Sequence, residues 1–129
     1  MIPKIYRDVV DGLHAKTTQD SVEWNTTVNE NEFLVYFDKF TLSIRASWDD
    51  DEHERVILFT LKNDLGKNID SFRVPESEPA FTKVAELFDA ARRKANRVDE
   101  ALAAIANELK ESKTIGRKGK NGDDDEVPF

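Results

Sequence analysis

Ile2, Ile5, Val9 and Leu13 recur at helical spacing, with Tyr6 and Val10 beside them and Pro3 suited to a first turn. The pattern predicts a short helix from Ile2 to about Ala15, weakened by Gly12 near its end. A polar stretch, Lys16 to Asp20, leads into Val22-Glu23-Trp24, read as the start of an edge strand.

The middle of the chain changes period. Phe33 to Phe37 is apolar on both faces, and Asp38-Lys39 offers a short turn. Phe40, Leu42, Ile44, Ala46 and Trp48 then alternate with Thr41, Ser43, Arg45 and Ser47, the pattern of a half-buried strand. Asp49 to Glu54 is a charged loop, and Arg55 to Leu61 is a further strand. Asn63-Asp64-Leu65-Gly66 supplies turn chemistry, and Asn68 to Val74 is the last strand, stopped by Pro75. Such short connections predict an antiparallel meander.

Beyond Pro75 the helical period returns. Ser77 is a capping residue and Pro79 a first-turn residue for one long helix from about Glu78 to Glu111. Phe81, Val84, Phe88, Ala91, Ala95, Val98, Leu102, Ile105 and Leu109 form its stripe, in steps of three and four over about four heptads. Such a helix is about 50 Å long at 1.5 Å per residue, against about 20 Å for a six-residue strand. Half of it can cover the sheet. The other half must pack on the first helix, fold back near Asn96 or meet a second protomer, giving a homodimer through the long helix. The fold class expected is therefore α+β: a short N-terminal helix, an antiparallel β-meander of four to five strands, a long C-terminal helix and a disordered tail.

Composition divides the chain further. Residues 1–111 read as the head domain, and residues 112–122 as a flexible basic linker with glycines and four cations around a single apolar residue, Ile115. Residues 123–129 form an acidic tip. The formal net charge is -7, and the linker's four cations cancel the tip's four acids, so the head carries the excess. An acidic head lacks the electrostatic footprint of nucleic-acid binding, so any direct contact with nucleic acid is expected to be weak. There is no cysteine, which excludes disulfides and thiolate metal sites. No signal segment or membrane-spanning apolar run is evident, so a soluble cytoplasmic protein is expected, with no membrane partner.

The most informative segment is the tip, Asp123-Asp124-Asp125-Glu126-Val127-Pro128-Phe129. Phe129 offers a large ring whose burial contributes a few kcal/mol, and an α-carboxylate on the same residue that an Arg or Lys can grip. Pro128 stiffens the approach, Val127 adds apolar contact, and Asp123 to Glu126 steer the peptide toward basic surfaces. Acidic tails often only solubilise, but solubility does not require an apolar Val-Pro-Phe end. From average residue usage such an end arises about once in a million chains.

This tip resembles the C-terminal tip of bacterial single-stranded-DNA-binding proteins, an acidic run closing in aliphatic-Pro-Phe. Asp124, Asp125, Val127, Pro128 and Phe129 match that pattern, and Glu126 stands where an acid is tolerated. The resemblance implies that Phe129 and Pro128 anchor in apolar pockets, each with a carboxylate-gripping basic residue, on proteins of DNA replication, recombination and repair. It covers only the tail. Residues 1–111 do not resemble that family, whose chains begin with a barrel rich in basic and base-stacking residues. The reading is thus a non-enzymatic adaptor that displays the tip, as a phage or mobile-element mimic would. The alternative is a divergent single-stranded-DNA-binding protein with an autoinhibitory acidic tail.

Other constellations change the picture less. Arg92, Arg93, Lys94 and Arg97 form a basic cluster that could touch phosphates or receive the acidic tail, although the bland reading is the solvated face of a helix. Asp49 to Glu54 is dense in oxygen ligands but fits no EF-hand spacing, so no metal is expected. His14 and His53 have no nucleophilic arrangement nearby, and no phosphate-cradling loop is present, so no cofactor is expected either. Trp24, Tyr36, Phe37 and Trp48 could stack on bases, but strand-spaced aromatics are more often core or cross-strand pairs.

Overall fold

The computed structural model describes residues 2–118, so the predicted tip and the end of the predicted linker lie outside the described residues. The elements run α1 (Lys4–Thr18), β1 (Asn25–Thr26), β2 (Glu32–Tyr36), β3 (Phe40–Asp49), β4 (Glu54–Asn63), β5 (Asn68–Pro75), α2 (Phe81–Ala95) and α3 (Val98–Glu111). The fold is α+β, as the alternation of periods predicts. Two compact units divide the chain, Met1–Val98 and Asp99–Phe129.

In the first unit five antiparallel strands lie in chain order, β1-β2-β3-β4-β5. Phe33 pairs with Ile44, Ile44 with Phe59 and Phe59 with Phe72, so one row of apolar side chains crosses the sheet on a single face. Leu42, Ile57 and Val74 extend this face, and Val84, Leu87 and Ala91 of α2 close over it. Phe88 leans on Phe33 with ring centroids 5.6 Å apart. β2 is buried on one face only. Phe33 and Val35 are in the core, whereas on the other face Leu34 is half-buried and Tyr36 is exposed, so five apolar residues in a row did not mean two covered faces.

α1 also differs from its predicted stripe. Val10, Leu13 and Thr17 are its buried residues, while Ile5 and Val9 are exposed. Tyr6 rather than Ile5 faces inward, stacking on Phe72 at 4.7 Å. The helix runs past Gly12 to Thr18 and ends with Asp20 in the left-handed region at φ 61°. There the Asp20 N–H donates to Thr17 O (3.0 Å) and the Ser21 N–H to Lys16 O (2.8 Å), the paired bonds of a Schellman ending.

The long helix of the sequence reading is two helices. Ser77 does not cap it: its N–H and its hydroxyl both donate to the Glu54 carboxylate (3.0 and 3.5 Å), and α2 starts only at Phe81, with Ala80 at its N-cap. At the other end Asn96 is the C-cap and Arg97 takes φ 55°, with its N–H on Lys94 O (3.2 Å). Charge explains why the chain stops and restarts here. Arg92, Arg93 and Lys94 fill the last turn of α2, and Asp99 and Glu100 the first turn of α3. Cations favour a helix C-terminus and anions an N-terminus.

The second unit contains α3 from Asp99 onward. Its apolar residues Leu102, Ile105 and Leu109 are 52–58% exposed, and none of the helix's residues is buried. Among the described residues no helix is long and apolar enough to cross a membrane.

Candidate partner-binding surfaces

The residues 123–129 on which the sequence reading rests lie outside the described residues. The second predicted site, Arg92, Arg93, Lys94 and Arg97, is placed by the last turn of α2 and the residue that ends it. These cations are not one open patch. Arg92 grips Asp89 of the preceding turn (2.8 Å), and Lys94 reaches Asp20 at the end of α1 (2.9 Å). Lys94 is therefore a strap between helices. Asp11 with Lys83, and His14 with Glu86 (3.6 Å), continue the same ladder, so α1 and α2 lie side by side in parallel.

Arg93 turns toward a different neighbourhood. With Arg55, Phe81, Ala85, Glu86 and Asp89 it lines a shallow hollow of about 510 Å³. The Arg55 guanidinium lies over the Phe81 ring, 5.2 Å from its centroid, and is held from the other side by Glu76 Oε2 (3.0 Å). Hydrogen bonding from Arg55 holds the Glu76 carboxyl below the usual carboxylate range, and Glu76 in turn raises Arg55. Mixed charge of this kind suits a polar contact better than a purely acidic one.

A more apolar groove was not anticipated from the sequence. Val9, Gly12 and Leu13 of α1 face Val22, Val35 and Phe37 across a space of about 690 Å³, with Asp8, Lys16, Glu23 and Asn25 also lining it. A Cβ built on Gly12 would meet no atom within 4 Å. A glycine inside a helix costs about 1 kcal/mol relative to alanine, so Gly12 is the signal that could have marked this groove.

Of the aromatics considered for base stacking, Trp24 is core, whereas Tyr36 (69% exposed), Phe37 and Trp48 (55% exposed) are open to solvent. Tyr36 lies opposite Thr41 and Trp48 opposite Arg55, so neither is half of an aromatic pair. Of the charged loop, Asp49 is committed internally, bonding Arg73 (2.8 Å) and the N–H groups of Asp51 and Glu52. Among the described residues no cluster of three or more His, Asp or Glu is placed to hold a metal ion.

Comparison with protein-family models, with curated proteins and with solved structures finds no match to the chain.

Proposed function

We propose that this chain is a non-enzymatic adaptor of the cytoplasm whose residues Asp123 to Phe129 dock on proteins of DNA replication, recombination and repair, as the tip of bacterial single-stranded-DNA-binding proteins does. The observation that carries the reading is the tip itself: four acids, then Val127, Pro128 and Phe129. Ring burial supplies the affinity and the acidic leader supplies steering toward a basic socket. A single tip of this size binds weakly, and self-association of the chain would strengthen it by avidity. Mimicry of a host tip gives such a protein an obvious use to a phage or mobile element, either to recruit host machinery or to compete for it.

The test uses a purified protein known to hold the tip of single-stranded-DNA-binding proteins, with a labelled tip peptide already bound. The intact chain should displace that peptide, whereas Phe129→Ala should not. The reading also needs a free carboxylate on Phe129, so one glycine appended after it should weaken displacement strongly. Equal displacement by all three proteins would end this account.

The exposure of Tyr36, Phe37 and Trp48 favours a second reading, a divergent single-stranded-DNA-binding protein with an autoinhibitory tail. It calls for salt-sensitive oligonucleotide binding that tightens when residues 123–129 are removed and weakens in Trp48→Ala.

A further inference from the structure

We draw no further inference here: the strongest candidate, the apolar groove between α1 and the end of β2, has Asp8 and Glu23 beside Lys16 among its lining residues, so its charge selects no partner and nothing in the structure shows what covers it.

Discussion

The Trp24 indole Nε1–H donates a hydrogen bond to Thr17 Oγ1 across 3.0 Å, and both side chains are buried. The bond joins the last full turn of α1 to the segment that enters β1, seven residues later. It lets an indole sit in the core without leaving its donor unpaired. Thr17→Val keeps the shape and removes the acceptor, and a buried unsatisfied donor costs about 1–3 kcal/mol. A lowered urea midpoint in Thr17→Val, largely restored in Thr17→Ser, is the expected result.

Ile44 is wholly buried at the centre of the row Phe33-Ile44-Phe59. Ile44→Ala should lower unfolding free energy by about 2–5 kcal/mol, the range for such core truncations. Leu102→Ala on the exposed face of α3 should change it by no more than about 0.5 kcal/mol at low protein concentration. Chemical denaturation of both variants gives the contrast.

The Tyr6 hydroxyl donates to the Asp70 carboxylate, and the ring stacks on Phe72. Burial first, and then the Asp70 carboxylate, push the phenol up from 10.0 to about 12. The folded chain thus keeps a proton that the unfolded chain releases at lower pH. Stability from this pairing is complete below pH 10 and is lost as pH rises from there to about 12. Native protein should therefore be more stable than Tyr6→Phe at about pH 8, and the gap should shrink in alkaline solution. A gap that widens with alkali would contradict the pairing.

Asp49 titrates in the opposite sense. The Arg73 guanidinium, followed by the N–H of Glu52, holds its carboxyl below the usual carboxylate range. Its contribution is present above the ordinary carboxylate pKa and is lost as pH falls through the lower folded value. Side-chain NMR titration should find the Asp49 midpoint below that of an ordinary aspartate, and Arg73→Gln should move it upward.

Gly12 tests the groove beside α1 through stability. Gly12→Ala should stabilise α1 by up to about 1 kcal/mol, because the added Cβ meets open space. Thermal unfolding should show a small rise in midpoint. A fall would mean that the groove closes on Gly12 in solution.

Part of the sheet was legible because alternation is a local property: Leu42 and Ile44 face the core because strand side chains point to opposite faces in turn, whereas Phe40 and Trp48 of the same stripe are exposed and Ser43 of the polar set is buried. The order of the strands followed from connections too short for anything but hairpins. The reading proposed for Asp123–Phe129 rests on the sequence alone, because those residues lie outside the described ones. Other questions needed the assembled chain. Apolar spacing on α1 allowed a stripe through Ile5 and Val9 or one through Tyr6 and Val10, and only packing against Phe72 and α2 chose the second. A strict heptad ran through Asn96 and Arg97, yet the helix broke there, because spacing records which side chains share a face and not whether the backbone between them stays helical. The basic cluster looked continuous until Asp20 and Asp89, one distant and one near in sequence, took up Lys94 and Arg92. Periodicity determines which face of an element is apolar. What covers that face, and which charges remain to meet a partner, is decided by contacts between residues far apart in the chain.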